Sequence, residues 1–388
     1  MNKRIAMIAY TQLPYDSRVI REASAAIDCG FQVDFYTLKQ PRDAEIPGVT
    51  MINSSFDQYK GSNKLAFIYT YLRFFTFILL KISINHFKNP YAVIHVNNMP
   101  NFLVFGCLLP KLFGAKIILD IHDLMPELYA EKFHLPLNHF LIRLLYLEER
   151  MSGRFANVVI ATNRLQVERF HENKIKKKEY PIILNASDEE VFKPFTDHNF
   201  HQEQFNLIFP STLAKRLGLD LLVEAMKIVS EHRQNIVLHI YGDGEYKDGL
   251  VELIQDKNLN GQVKFHGVVD HPSLSKAYEK AHVGVVPWPS NYSTNYQMPI
   301  KMNEYFIKGL AAITSDVRII KEYFSDCTLF YQAGNAKDFA EKILYLEDNR
   351  QLAKDLATKG HTFYLDNSWS KYKLRYQQLI TQLAGKPN

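Results

Sequence analysis

Cysteine is scarce in this sequence of 388 residues. Cys29, Cys107 and Cys327 are its three cysteines, and their wide separation matches no spacing of metal ligands. This excludes a disulfide-stapled fold, because that class depends on many paired cysteines. We therefore expect buried thiols, no metal site and a protein kept in a reducing compartment.

A large charge of one sign is also lacking. Lysine and arginine number 46 and aspartate and glutamate 41, so the net charge is +5. This excess is too small to indicate a nucleic-acid partner. Near the start, Lys3 and Arg4 precede an apolar run from Ile5 to Tyr10, which is too short for the apolar core of a secretory signal. We expect this run to be the first strand of a cytoplasmic protein.

What the sequence does have is a regular alternation of short apolar runs with amphipathic stretches. This pattern predicts βαβ units around parallel sheets, and the chain is too long for one hydrophobic core. A polar stretch from 185 to 204 separates two series of such units. We predict an α/β fold with two facing Rossmann-like domains, over 1–190 and 205–365, and a C-terminal helix over 366–388 that crosses back to the N-terminal domain. The strand candidates are 4–10, 32–38, 92–96, 116–121, 157–161 and 181–184, followed by 206–210, 236–241, 263–267, 283–287 and 311–315.

The segment 301–316 is the most informative for chemistry. Its pattern predicts a helix that begins after Pro299 and ends at Gly309, followed by a buried strand. Lys301 and Glu304 lie in the first turn. A helix start at the carboxyl edge of a parallel sheet offers free N–H groups to an anion, and a carboxylate there can accept both hydroxyls of a ribose. The simpler alternative is that Glu304 only favours the helix dipole and Lys301 is solvated.

This segment resembles the donor-site signature of family 4 of the retaining glycosyltransferases, in which a Glu-Tyr or Glu-Ala helix precedes glycine, an apolar strand and Ser-Asp. The segment 209–225 resembles the strand, basic loop and helix that begin the family's donor domain. The resemblance implies that Ser211, Lys215 and Arg216 bind the donor, with the two cations at the diphosphate. Cations are needed there because the leaving group gains negative charge as the glycosidic bond breaks. A solvated basic loop is the alternative.

In the first half, the segment 117–127 predicts a strand that runs into a loop at the carboxyl edge of its sheet. The resemblance implies that His122 lies near the donor sugar, with Asp123 and Glu127 on the acceptor side. The pattern His-Asp-x-x-Pro-Glu is especially similar to members that build bacterial surface polysaccharides. Without the resemblance, a structural role for the histidine is the simpler interpretation.

Arg18 lies in a predicted helix for which Asp16 is a suitable N-cap. The resemblance implies that this helix lines the acceptor side. Glu22 lies four residues later on the same helical face, so an ion pair between Arg18 and Glu22 is the alternative.

The sequence departs from the family pattern at the donor signature and in the first loop. The fullest signature has a second glutamate eight residues before Glu304, where this sequence has Tyr296. Asn295, Tyr296 or backbone N–H groups of the loop 290–299 are candidates to replace it. The first loop, 10–15, lacks the double glycine common in the family, so acceptor contacts there are expected to differ.

Gly242 and Gly244 follow a predicted strand and precede a helix, as in a dinucleotide-binding turn. However, Lys247 stands where the third glycine of that turn belongs. We therefore interpret the segment as a tight turn near the nucleotide base, with Gly242 as a backbone contact.

Taken together, the resemblance implies a GT-B fold and transfer of a hexose or N-acetylhexosamine from a UDP- or GDP-sugar, with retention of configuration. It implies a glycan or polyprenyl-linked acceptor in polysaccharide biosynthesis, and neither a cofactor nor a metal. Two alternatives remain open: a nucleotide-sugar epimerase of the same architecture, and a non-catalytic sugar-nucleotide-binding component of an assembly complex.

The stretch from Leu65 to Ile84 is rich in aromatic and aliphatic residues. On a helix, Arg73, Lys81 and Lys88 fall within a sector of about 80°, which leaves a broad apolar face. This arrangement suits a helix lying in the interface of an anionic membrane, on the inner face of the cell membrane. In that interpretation we expect Phe74, Phe75 and Phe77 to face lipid. The alternative is a helix of the first domain that packs on its sheet.

Overall fold

The computed structural model describes residues 3–12, 16–41, 45–59, 64–187, 189 and 192–385. The chain divides into two compact units. The first unit comprises Met1–Asn185 together with Ser370–Asn388, and the second comprises Ala186–Trp369.

The first unit contains a six-stranded parallel sheet with the order β3-β2-β1-β4-β5-β6. Its strands are β1 (Arg4–Ile8), β2 (Gln32–Thr37), β3 (Val49–Asn53), β4 (Val93–Asn97), β5 (Lys116–Ile121) and β6 (Val158–Ala161). The central strands β1, β4 and β5 are apolar along almost their whole length and buried, as expected for parallel strands that are covered on both faces.

Among the residues that the structure describes, six α-helices follow or connect these strands, and a 3₁₀ helix spans Asn101–Cys107. The α-helices are α1 (Ser17–Asp28), α2 (Lys64–Lys88), α3 (Leu108–Leu112), α4 (Met125–Lys132), α5 (Phe140–Phe155) and α6 (Arg164–Glu172). Asp16 caps α1, as predicted: its side chain accepts a hydrogen bond from the backbone N–H of Val19 at 3.3 Å.

The second unit repeats the same sheet order, with β12-β11-β10-β7-β8-β9 all parallel. Its strands are β7 (Phe205–Pro210), β8 (Ile236–Tyr241), β9 (Val263–Phe265), β10 (Val283–Val286), β11 (Ala311–Ser315) and β12 (Leu329–Tyr331). The prediction of two Rossmann-like sheets is confirmed. In both, the strand order reverses beside the first strand, and this reversal is where such sheets bind ligands.

The helices of the second unit pack on both faces of this sheet around a core that extends from Phe200 to Ala357. They are α7 (Leu219–His232), α8 (Lys247–Asp256), α9 (His271–Lys280), α10 (Ile300–Ile307), α11 (Arg318–Phe324), α12 (Ala336–Asp348) and α13 (Arg350–Asp366).

The last helix, α14 (Trp369–Leu383), packs on the first unit. The hydroxyl of Tyr376 lies 2.8 Å from Nδ1 of His95 on β4, and Nε2 of Gln377 donates to the carbonyl of Ala25 at 3.0 Å. The predicted return of the C-terminal helix to the N-terminal domain is therefore confirmed.

Three strand assignments differ from the sequence prediction. The segment 181–184 makes one isolated bridge, between Ala161 and Ile182, instead of a strand. β3 and β12 were not predicted. Both lie at sheet edges, where partly exposed residues break the continuous apolar run that identifies a buried parallel strand.

The orientation of α2 corrects one prediction. Phe74 is completely buried and packs edge-on against Tyr10, so it faces the core and not lipid. Phe75 and Phe77 are half-buried. The exposed face of α2 carries Leu80 and Ile84 instead. In the described part of the chain, no helix is long and apolar enough to cross a membrane.

Candidate functional site

A cavity of about 410 Å³ opens at the carboxyl edge of the second sheet. It lies where the loops after β7, β8 and β9 meet α9 and α10. Three residues predicted to bind the donor, Ser211, Gly242 and Lys301, line it together. The other lining residues are Pro210, Thr212, Tyr241, Asp243, Val268, Val269 and Leu274.

Close backbone contacts between the loops explain the glycine at 242. A Cβ atom there would overlap the carbonyl oxygen of Ser211, and the φ angle of +134° is one that only glycine adopts readily. The N–H of Gly242 donates to the carbonyl of Gly267 at 2.8 Å, and the N–H of Ser211 donates to Tyr241 at 2.9 Å. These bonds bring the loops after β7, β8 and β9 together and form the wall of the cavity.

Lys301 and Glu304 lie on α10, which begins directly after Pro299 as predicted. Nζ of Lys301 is 3.0 Å from each carboxylate oxygen of Glu304. The hydroxyl of the buried Tyr278 also donates to Glu304. Burial and the Glu304 carboxylate raise the pKa of Tyr278. Glu304 is itself only 4% exposed, so it anchors the ammonium group of Lys301 at the cavity wall.

Lys215 and Arg216 lie in a 3₁₀ turn on the loop that leaves the same strand as Ser211. Both side chains are exposed, and neither lines the cavity. Nζ of Lys215 is 3.4 Å from the carboxylate of Asp220 and 5.4 Å from the centre of the Tyr246 ring. The turn ends at Gly218, which has a φ angle of +83° and no room for a Cβ beside the carbonyl of Pro287. The two cations are therefore held by a turn that is packed against the end of β10.

The loop that was expected to replace the missing glutamate packs toward α11. Asn295 accepts the N–H of Arg318 at 3.0 Å and donates to the carbonyl of Asn291 at 2.8 Å. The ring of Tyr296 lies 5.8 Å from the guanidinium of Arg318. Neither Asn295 nor Tyr296 lines the cavity.

In the first unit, His122 and Asp123 follow β5 at the carboxyl edge of the sheet. Asn98, which follows the neighbouring strand, holds this turn: its Oδ1 accepts the N–H of His122 at 3.2 Å, and its Nδ2 donates to the carbonyl of Asp123 at 2.6 Å. Gln166 donates to the carbonyl of His122 at 3.2 Å. Asn98 is not among the predicted site residues, although it directly follows a buried strand and is polar, which is a usable signal.

Arg18 and Glu127 are both buried in ion pairs. Nε of Arg18 is 2.7 Å from Asp120 and 3.4 Å from Glu22, so the alternative pairing with Glu22 is observed, with Asp120 as the nearer partner. Glu127 accepts hydrogen bonds from Arg169 and, at 3.0 Å, from Tyr146. These contacts orient α1 and α4 beside the turn that carries His122.

Glu22, His95 and Asp120 form a buried cluster whose potential metal-ligand atoms lie within 4.8 Å of one another. The Arg18 guanidinium already supplies a cation there. Although burial opposes ionisation, Arg18 lowers the pKa of Asp120, whereas burial raises the pKa of Glu22. Burial also lowers the pKa of His95 to about 4. The Arg18 guanidinium, 2.7 Å from Asp120 and 3.4 Å from Glu22, therefore supplies positive charge beside these acidic groups.

Residues 192–363 match the family described as glycosyl transferases group 1. Among curated proteins, the chain is 28% identical over 145 residues to a poly(ribitol-phosphate) alpha-N-acetylglucosaminyltransferase of Staphylococcus aureus, covering 37% of this chain and 28% of that protein. It is 25% identical over 210 residues to the O-antigen biosynthesis glycosyltransferase WclY of Escherichia coli, covering 52% and 55%. The chain thus spans about half or less of the length of these relatives.

Solved structures are similar over nearly the whole chain. A sucrose-phosphate synthase from Thermosynechococcus elongatus has a TM-score of 0.77 at 20% identity, covering 98% of this chain and 99% of that one. The Anabaena protein Alr3699/HepE, in complex with UDP-glucose, has a TM-score of 0.72 at 12% identity, covering 98% and 99%. At these identities the likeness shows the fold, and the predicted GT-B architecture is confirmed.

Proposed function

We propose that this chain, whose residues 192–363 match the family of group 1 glycosyl transferases, transfers a sugar from a nucleotide-diphosphate donor bound by its second unit. The acceptor is a glycan or polyprenyl-linked saccharide in polysaccharide biosynthesis. The relatives named for poly(ribitol-phosphate) and for O-antigen biosynthesis support this class of acceptor.

The observation that carries the proposal is the cavity that joins Ser211, Gly242 and Lys301. It offers one anchored ammonium group, a hydroxyl and a glycine turn where a ligand can approach the backbone closely. Its volume lies in the range of small-molecule sites. A nucleotide diphosphate needs such a combination, because its charge requires cations and hydrogen-bond donors.

In this proposal, Lys215 and Arg216 close over the diphosphate from the neighbouring loop and stabilise the charge that develops as the glycosidic bond breaks. Lys301, held by the buried Glu304, binds the ribose and phosphate side of the donor, and His122 lies near the donor sugar. The sugar is a hexose or N-acetylhexosamine and its configuration is retained. No metal or cofactor takes part. UDP is favoured over GDP as the nucleotide, because fold neighbours were solved with UDP.

A thermal-shift screen with UDP-sugars and GDP-mannose, with EDTA and then with magnesium, tests the donor assignment. We expect one nucleotide class to raise the unfolding midpoint equally in both conditions, and Lys301→Gln to lose most of that rise. A rise that needs magnesium contradicts the metal-free mechanism. No rise with any nucleotide sugar contradicts the donor site.

Incubation with the stabilising donor alone separates the two alternatives. An epimerase converts the donor to a new sugar or to free nucleotide without any acceptor. A non-catalytic binding protein is stabilised by the donor but does not consume it, whether or not an acceptor saccharide is added. We expect transfer only when an acceptor is added.

We also propose that the protein is cytoplasmic and touches the inner face of the cell membrane through α2. The exposed side of this helix carries Leu72, Leu80 and Ile84 beside Arg73 and Lys81. Apolar side chains flanked by cations suit an anionic lipid surface. Loss of vesicle binding in Leu72→Ser/Leu80→Ser, with an unchanged unfolding midpoint, would support this contact, and unchanged binding would contradict it.

A further inference from the structure

Exposed apolar side chains are concentrated on one part of the first unit. Of the twenty-one large apolar residues exposed in the described ranges, fifteen lie on α2, on α3 and its C-cap, and on α5. α2 and α5 both pack against the 3₁₀ helix 101–107. Right-handed crossovers from β3 to β4 and onward to β6 place these helices on the same face of the sheet. Apolar exposure on this scale marks an interaction surface.

A groove of about 700 Å³ lies at one end of this surface, between α5 and α6. On its α5 side are Phe140, Leu144 and Leu147, which are all largely exposed. At 100° per residue these three side chains fall within a sector of about 60°. Exposed Met151 continues the same stripe by one turn. Residues of this kind pack inward on a globular domain, so an outward stripe needs a partner.

Two arginines border this apolar stripe. Arg143 and Arg150 also line the groove and are seven residues apart, so they lie on one side of α5 about 10 Å from each other. The guanidinium of Arg143 makes no hydrogen bond or ion pair with any residue in the described ranges. That of Arg150 donates to the carbonyl and side chain of Asn173, and neither arginine has a carboxylate partner there. Both charges are available to an anion.

The floor of the groove contains a buried arginine that is held in place by two carboxylates. Arg169 is 4% exposed and lines the groove, and its Nη1 atom is buried without a hydrogen-bond partner. Its Nε and Nη2 atoms are held by Glu127 and Glu149. The buried Arg169 and the two more accessible arginines therefore line the same groove, together with Glu172.

We propose that this groove binds the phosphate headgroups of anionic phospholipids in a bilayer. Arg143 and Arg150 contact the phosphates, and Phe140, Leu144 and Leu147 enter the apolar layer. The proposal rests on the membrane contact proposed above and adds a defined lipid site on a different helix. A second copy of the chain fits less well, because a two-fold contact through α5 would bring the same unpaired arginines together.

The surface continues from the groove toward α2, which supports a flat partner. The Lys111 ammonium of α3 donates to the carbonyl of Phe155 at the end of α5 and lies 4.2 Å from the centre of its ring. Phe113, which follows α3, packs edge-on against Phe87 of α2 with ring centres 4.9 Å apart. A bilayer is broad enough to cover a surface that extends over all three helices, whereas a single peptide occupies only one groove.

Flotation of the full chain with phosphatidylcholine vesicles, with and without phosphatidylglycerol, tests this site. We expect binding to the anionic vesicles that weakens as salt increases. Arg143→Gln should weaken it about fivefold and Arg143→Gln/Arg150→Gln about 25-fold, since each cation near an anionic surface contributes about this factor. Leu144→Ser/Leu147→Ser should weaken vesicle binding at low and at high salt concentration alike.

The matched controls are Lys354→Gln/Lys359→Gln and Leu365→Ser, which change exposed residues of α13. They should bind as the wild type does. Arg143→Gln removes no observed contact, so it keeps the test valid even where Arg150→Gln lowers the unfolding midpoint.

The outcomes separate this site from the broader proposals. If the wild type binds anionic vesicles and the α5 variants bind equally well, the groove is not the lipid site, although the α2 contact stands. If the wild type binds no vesicles, both membrane proposals fail. Binding of an acidic amphipathic peptide in place of vesicles, abolished by Arg143→Gln, would also overturn the lipid assignment. The donor thermal-shift screen is independent of all three results.

Discussion

Replacing Lys215 by alanine separates a catalytic role from a structural one. The side chain is 69% exposed, and its contacts are an ion pair of 3.4 Å with Asp220 and a ring contact of 5.4 Å with Tyr246. Exposed pairs of this kind contribute about 0 to 1 kcal/mol to the free energy of unfolding. We therefore expect Lys215→Ala to shift the unfolding midpoint only slightly.

The expected effect on turnover is much larger. If Lys215 stabilises the leaving diphosphate, its removal should lower kcat by about 100-fold to 1000-fold, the usual cost of removing one donor to a developing charge. Nucleotide release from the stabilising donor, measured with an acceptor saccharide, is the assay. Arg216→Ala should show a loss of the same order.

Lys247→Ala is the matched control, because Lys247 lies on the same edge of the second sheet and has similar contacts. Its Nζ atom is 3.7 Å from Asp243 and 5.7 Å from the centre of the Phe265 ring. We expect it to keep at least a third of wild-type turnover. Wild-type kcat in Lys215→Ala, or equal losses in the two variants, would refute the assignment of the basic turn to the diphosphate.

Three further predictions test the cavity, the orientation of α2 and the effect of pH. Gly242→Ala forces a Cβ onto the carbonyl of Ser211 at a φ angle of +134°. It should therefore lower the free energy of unfolding by about 2 kcal/mol or more and abolish the rise in unfolding midpoint that the donor causes. A Cβ at Gly261 meets no atom within 4 Å, so Gly261→Ala should have neither effect. Phe74→Ser should lower the free energy of unfolding, measured in urea, by about 3 to 5 kcal/mol, and Leu80→Ser by less than about 1 kcal/mol, because Phe74 is in the core and Leu80 is 57% exposed. Equal losses would contradict the orientation of α2. Burial lowers the pKa of His282 to about 4, and its Nδ1 accepts the N–H of Asn206, so the folded chain binds fewer protons than the unfolded chain between pH 6.5 and pH 4. Stability should therefore fall by up to about 3 kcal/mol as the pH decreases through that window, and His282→Gln should show a shallower slope in urea unfolding.

The strands were predictable where the physical constraint is local. A central parallel strand is covered on both faces, so β5 and β11 appear in the sequence as continuous apolar runs, and the predicted limits agree with the observed ones. β3 has no such signature, because an edge strand needs apolar residues on fewer of its positions. β3 forms because it pairs with β2. That pairing involves residues outside the segment itself, so the local pattern of β3 does not predict it.

The candidate donor site was partly predictable for the same reason. Ser211, Gly242 and Lys301 each stand directly after a strand or at a helix start, and parallel strands bring such positions to one edge. The hydrogen bond from Tyr278 to Glu304 was not predictable in the same way. Tyr278 lies 26 residues earlier on a different helix, and only the packing of α9 against α10 brings its hydroxyl to the carboxylate.

The sequence by itself determined the alternation of strands and helices, the two-domain fold and the edge of the sheet where charged and glycine residues gather, because these follow from periodicity and from the direction of parallel strands. Only the tertiary structure decided which side of α2 faces the core, since that helix is apolar on nearly every side. It also decided that Arg18 pairs most closely with Asp120 and that α5 presents an apolar stripe outward. Each of these depends on which distant segment occupies the neighbouring space, and that is a property of packing.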